Sequence, residues 1–122
     1  MEYNKEAIAE GRMSVQQGDV SALTLEKNKF QLVTAFETVY FWPGLTECFS
    51  NVCSVMKKDG LFLIVNETDG IEKVGKKFEK IIDGMTVYTI EEIEEALRKA
   101  GFSCVKSKHH PNKPWIMVLA KK

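Results

Sequence analysis

At 122 residues, with 44% hydrophobic and 28% charged side chains, the chain has the composition of one folded domain and not of a disordered or fibrous protein. Seventeen Lys and Arg balance seventeen Asp and Glu, so the global attraction that drives nonspecific binding to nucleic acid or to an anionic membrane is absent. No run approaches the roughly 18 apolar residues that span a bilayer, and Cys48, Cys53 and Cys104 form no CxxC pair, which points to reduced, buried thiols in the cytoplasm and away from a disulfide framework or zinc site.

Residues 2–10 are rich in helix formers and stop at Gly11, a residue that tolerates the left-handed conformation after a helix. From Arg12 to Gln17 the pattern alternates, with Met13 and Val15 on one side, as in an edge or half-buried strand closed by Gly18-Asp19. After a polar connection, Phe30 to Glu37 is nearly continuous in apolar residues, which predicts a central strand covered on both faces in a parallel sheet. Leu45, Phe49, Val52, Cys53 and Met56 recur at helical spacing and predict a helix that ends near Lys57-Lys58-Asp59-Gly60.

Leu61 to Val65 is a second buried strand, ending in Asn66-Glu67, so that strand, helix and strand make a βαβ unit. Ile71 to Ile82 supports a helix with Val74, Phe78, Ile81 and Ile82 inward; its lysines, at 73, 76, 77 and 80, alternate with acids as on a solvated face. Thr89 and Glu92 form a capping box that opens a helix from Ile90 to Ala100, with Ile93, Ala96 and Leu97 toward a core and Gly101 as the stop. Phe102 to Lys108 and Pro114 to Ala120 flank a polar turn and predict a closing hairpin. Within that turn, His109 and His110 are adjacent and lack a third ligand at useful spacing, which favours a polar turn over a metal site.

Three segments in this order, Gln17-Gly18-Asp19-Val20-Ser21-Ala22-Leu23, Phe30 to Glu37, and Met56 to Ile64, resemble the signatures "GDxxxLPF", "FDLVxxxxxxxxW" and "LKPGGxFxI" of class I S-adenosylmethionine-dependent methyltransferases. The resemblance covers the chain as the second half of that fold, and it implies a small-molecule methyl acceptor. The family's first strand and glycine-rich loop, "hhDhGCGxG", which hold the methionine end of S-adenosylmethionine, have no counterpart in this sequence, nor has the acidic residue that takes the ribose hydroxyls. The expectation is a truncated methyltransferase-like domain over 1–122 in which half of the cofactor site is present.

By that resemblance Asp19 matches the carboxylate that accepts from the adenine amino group and the Val20 N–H matches the donor to a ring nitrogen. The residues by themselves also allow Asp19 to be a turn residue after a strand. Ala35, Phe36 and Glu37 match the end of the strand whose backbone lies against the cofactor, and Glu37 is the one candidate base. Tyr40, Phe41 and Trp42 either present ring faces on the substrate side or plug the next helix.

The expected fold class is α/β: a partial Rossmann-like sheet of three parallel strands with a C-terminal antiparallel hairpin, flanked by helices. A central apolar strand left at an open edge would pair with a second copy, which predicts a homodimer. The alternative function is a non-catalytic binding or assembly module built on the same fold.

Overall fold

The computed structural model describes residues 2–122. Its centre is a four-stranded sheet in the order β1-β2-β4-β3, formed by β1 (Phe30–Phe36), β2 (Met56–Asn66), β3 (Cys104–His109) and β4 (Ile116–Lys121). β1 and β2 run parallel, with Leu32 opposite Leu61 and Phe36 opposite Val65, and the crossover between them is the helix α2 (Leu45–Val55). β4 pairs antiparallel with both β2 and β3, so the α/β class and the closing hairpin are as the sequence predicts.

Side chains alternate across these strands, and only one face of the sheet is covered. Val33, Ala35, Phe62, Ile64, Ile116, Val118 and Ala120 face Phe49 and Val52 of α2 and Ile93, Ala96 and Leu97 of the helix α4 (Ile90–Ala100). Phe62, fully buried, holds this core together: its ring lies 5.6 Å from that of Phe49 and 5.8 Å from that of Phe102, and Trp42 stacks on it at 6.3 Å. Burying one such phenylalanine contributes about 2–3 kcal/mol.

The other face carries Leu32 and Phe36, which are 58% and 56% exposed, and Leu61 and Met117, which are 38% and 40% exposed. β1 is therefore an edge strand with one bare face, where its continuous apolar run predicts a central strand covered on both. A continuous run reports a lack of polar residues and cannot tell which neighbours supply the cover.

Three further expectations change. Residues 12–17 are irregular and exposed and join no sheet, so the third parallel strand is not formed; Met13 and Val15 find no strand edge among the described residues to complete a ladder. The helix α2 stops at Val55, and β2 starts at Met56, five residues earlier than predicted. Met56 pairs with Phe30, and the following residues bulge through Asp59 at φ +67° before the ladder resumes at Leu61. Lys122 ties this junction down by donating from Nζ to the carbonyls of Cys53 and Met56, each at 2.7 Å.

The third change is in the helix α3 (Lys73–Ile81), which forms with its apolar stripe turned outward: Val74, Phe78 and Ile81 are 61%, 48% and 66% exposed. Elsewhere the local signals hold. The short helix α1 (Lys5–Ala9) ends before Gly11 at φ +76°. At the start of α4, Thr89 Oγ1 accepts from Glu92 N at 3.2 Å while Glu92 Oε1 accepts from Thr89 N at 3.1 Å. Gly101 closes α4 at φ +111°.

Candidate functional site

β1 and β2 end side by side, and the residues just beyond them are joined by side chains. Glu37 sits at φ +56°, a region that costs a non-glycine residue roughly 1–2 kcal/mol. Its backbone N–H donates to Val65 O at 2.9 Å, and its carboxylate Oε1 accepts from the hydroxyl of Tyr40 at 2.7 Å and from the N–H of Glu67. Tyr40 is buried, and its hydroxyl also accepts from Glu67 N at 3.0 Å. Burial, reinforced by the hydrogen bond to Glu37 and by its negative charge, pushes the Tyr40 phenol far above its ordinary range, so it stays protonated and keeps donating. Glu37 Oε2 makes no hydrogen bond among the described residues.

Above this floor opens a cavity of about 790 Å³, within the roughly 300–1,000 Å³ of small-molecule sites. One wall is the segment after β2 with α3. Thr68, 6% exposed, accepts from Gly70 N at 3.3 Å, and Gly75 is buried against it so tightly that a Cβ there would lie 2.2 Å from Thr68 Oγ1. Glu72 caps α3 by accepting from Val74 N and Gly75 N, both at 2.6 Å. Val74, Phe78 and Met85 give this wall an apolar surface.

The hairpin turn forms another part of the lining, with His109, Pro111 and Pro114. The two parts are clamped where His109 Nε2 meets Asp69 Oδ2 at 2.8 Å while His109 Nδ1 meets the carbonyl of His110 at 2.6 Å. Both partners are acceptors, so both ring nitrogens are donors and the imidazolium is the form that satisfies them. The Asp69 hydrogen bond, then that of the His110 carbonyl, raises the His109 pKa. For Asp69, partial burial works upward, but hydrogen bonds from His109 and from the N–H groups of Ile71 and Glu72 outweigh it and hold the carboxyl below its ordinary value.

The other candidate residues from the sequence are not gathered here. Asp19 begins the turn Val20–Ala22, its Oδ1 accepting from Ser21 N at 2.8 Å and from Ser21 Oγ at 2.7 Å, so it makes the turn interaction that its residue type allows. These bonds hold its carboxyl below the ordinary range. Asp19 and Val20 line a separate cavity of about 270 Å³. Asn51 of α2 anchors the turn by donating to the carbonyls of Val20 and Ser21 at 3.1 and 2.9 Å. Ala35 is buried in the core, and Phe36 lies on the bare sheet face.

The aromatic loop divides. Tyr40 joins the cavity floor, Phe41 is 51% exposed, and Trp42 packs on Phe49 and Phe62 as a plug over α2. Cys48 and Cys53 are buried thiols raised chiefly by that burial, whereas Cys104 is exposed, at variance with the expectation of three buried thiols. His110 lies edge-on to Trp115, and Asn112 N donates to its Nδ1 at 3.0 Å.

Sequence reasoning overlooked Thr68, Asp69 and the apolar side of α3 as parts of a site. Asp69 and His109 are 40 residues apart, and nothing in their spacing foretells the contact. The exposed stripe of α3 does leave a signal, namely apolar residues at helical spacing with four lysines on the remainder of the helix, but that signal also fits a core helix.

A family model described as a methyltransferase domain matches residues 2–111. Two sterol 24-C-methyltransferases are each 27% identical to the chain. That of Clavispora lusitaniae aligns over 97% of the chain and 35% of its own length, and that of Candida albicans over 82% and 29%. The chain thus spans about a third of these curated relatives. Among solved structures, an S-adenosylmethionine-dependent methyltransferase from Thermotoga maritima superposes with a TM-score of 0.77 at 19% identity, covering 97% of the chain and 69% of that protein. The [4+2]-cyclase SpnF superposes equally well, 0.77 at 13% identity over 99% of the chain and 60% of its own. At such identities the likeness is one of fold, which is the class I methyltransferase fold.

Proposed function

The chain belongs to the methyltransferase domain family, and we propose that it carries the acceptor side, and the adenine edge, of a site for S-adenosylmethionine-dependent methylation of a small molecule. The observation that carries this reading is the Glu37–Tyr40–Glu67 bridge at the carboxyl ends of β1 and β2, beside a cavity of about 790 Å³. Open α/β sheets bind ligands outside the carboxyl ends of their strands, and a residue held at positive φ there is where strain accompanies function.

The residues present fit part of the cofactor. Asp19 keeps Oδ2 free of hydrogen bonds among the described residues, suited to the adenine amino group, with the Val20 N–H beside it and the backbone of Ala35, Phe36 and Glu37 along the edge. When bound, S-adenosylmethionine supplies a methyl group already activated by its sulfonium. The protein's task is then to orient the acceptor in line and exclude water. Tyr40 and the Glu67 N–H lock Glu37 in one orientation, which leaves Oε2 to take a proton from acceptors that must lose one. Trp42 is partly buried, stacks on Phe62 and lines a different cavity, which favours its reading as a plug. The unpaired thiols accord with a reducing, cytoplasmic setting.

Asp19 and Glu37 lie on separate cavities, and this supports a second reading, a non-catalytic binding or assembly module. It also supports the view that these 122 residues bind cofactor incompletely by themselves. The SpnF fold likeness is a reminder that fold does not dictate chemistry. Calorimetric titration with S-adenosylhomocysteine separates the readings: heat of binding that falls at least about tenfold in affinity in Asp19→Ala supports the cofactor edge, taking one charge-assisted hydrogen bond as lost. No heat and no thermal shift at millimolar ligand would sink autonomous binding and leave the assembly reading. We further propose that the open edge of β1 and the bare face beside it are covered by a second copy of the chain.

A further inference from the structure

We propose that α3 docks the chain on the surface of a bilayer that contains anionic phospholipid. Two independent features of the helix point there: its outward apolar stripe and the sign of the charge beside it. At about 3.6 residues per turn, Val74, Phe78 and Ile81 stack along one stripe, and all three are exposed. Ile71 before the helix and Ile82 after it add to this bare apolar surface, at 71% and 40% exposed. Large apolar side chains gathered on one segment mark a contact surface, where single ones scattered over a protein do not.

The charge is equally one-sided. Lys73, Lys76, Lys77 and Lys80 are all exposed. The acids that interleave with them in sequence turn the other way: Glu72 accepts from the N–H groups of Val74 and Gly75, and Glu79 Oε2 accepts from Val87 N at 2.7 Å. Asp83, just past α3, is the one exposed acid between residues 71 and 83. The chain as a whole is neutral, but exposed charges more than about 8 Å apart are largely screened at physiological ionic strength. A surface that touches α3 therefore meets these lysines and not the average of the molecule.

The attachment of α3 selects a flat partner. Glu72, Gly75 and Glu79 occupy the side that holds the helix to the rest of the chain, with Gly75 tight against Thr68, so no partner can wrap around it. A bilayer needs no such access. It takes the stripe into the boundary between headgroups and acyl chains, while Lys73 and Lys77, along the border of the stripe, bury their methylenes and keep their ammonium groups at the level of the phosphates. Val74 and Phe78 also belong to the lining of the cavity of about 790 Å³, so docking brings that cavity next to the lipid.

Co-sedimentation of the whole chain with large vesicles tests this, comparing phosphatidylcholine alone with phosphatidylcholine containing about 30% phosphatidylserine. Binding should be at least about tenfold tighter to the mixed vesicles at low salt, and that preference should shrink as salt rises. Lys73→Gln combined with Lys77→Gln should weaken it by roughly fivefold per lysine. Phe78→Ser combined with Ile81→Ser should weaken it at least about tenfold. All four positions are exposed, and the lysine pair tests the proposal even where the apolar pair disturbs α3.

No binding to the mixed vesicles, equal binding to the two kinds, or binding that both double variants leave unchanged would each overturn the proposal. So would a wild-type oligomer, seen in sedimentation velocity, that Phe78→Ser with Ile81→Ser dissociates, because a second copy of the chain and not lipid would then cover the stripe.

Discussion

His109 and Glu37 both hold two segments together through hydrogen bonds that depend on charge, and for His109 the pH dependence has a definite sign. Its pKa is raised in the folded chain, so the stabilisation it brings is fully present below the unfolded value of about 6.5 and is lost as pH rises through the higher folded value. Asp69 is shifted down, so its share is present above about 3.9 and is lost as pH falls through its lower folded value. The clamp is strongest in the window from about pH 4 to about 6.5. Thermal melts of wild type and His109→Gln should differ in favour of wild type at pH 5.5 and converge by pH 9; a difference that persisted at pH 9 would show that the ring acts by packing and not by charge.

At the scale of elements, α3 is the piece whose role the apolar pattern misreads. It attaches to the rest through Gly75 against Thr68 and through Glu79, whose Oε2 accepts from Val87 N at 2.7 Å, while its apolar stripe stays in solvent and along the cavity. Gly75→Ala tests this attachment. Alanine favours a helix by about 1 kcal/mol, but its Cβ would also lie 2.3 Å from Glu72 Oε1, and overpacking of that kind costs about 1–3 kcal/mol. The expected outcome is faster amide hydrogen exchange throughout α3, with protection in α4 unchanged. Slower exchange in α3 would mean that helix propensity and not the Thr68 contact governs the element.

For the molecule as a whole, the bare sheet face and the unpaired edge of β1 set its behaviour in solution. Leu32, Phe36, Leu61 and Met117 form one apolar surface because Leu32 lies opposite Leu61 and Phe36 opposite Val65 in the parallel ladder, with Met117 across from Val65 on β4. Natural sheets blunt such edges with lysine. Leu32→Lys should accordingly weaken the self-association proposed for the wild type by roughly tenfold or more, seen as a shift from dimer to monomer in sedimentation velocity. Wild type that sediments as a monomer at about 100 μM would remove the dimer.

Much of the fold was legible because its determinants are local. The capping box at Thr89 and Glu92, the βαβ order around α2 and the turn between β3 and β4 each depend on neighbours in sequence, and each forms as predicted. The family resemblance was legible for a similar reason, since it resides in short ordered segments. Asp19 and Glu37 could be named as candidates but not placed, and Trp42 could not be told apart as plug or substrate contact, because the outcome turns on which ring it stacks against.

The sequence by itself determined the α/β class, the order of helices and strands from Phe30 onward and the kinship to methyltransferases, since periodicity, caps and turn residues act over a few positions. Only the tertiary structure decided that residues 12–17 join no strand, that α3 turns its apolar stripe outward, and that Glu37, Tyr40 and Glu67, with Asp69 and His109, enclose one cavity. The reason is physical: apolar spacing tells which side chains avoid water on a segment, whereas cover and contact depend on which other surfaces are within reach once the sheet has assembled.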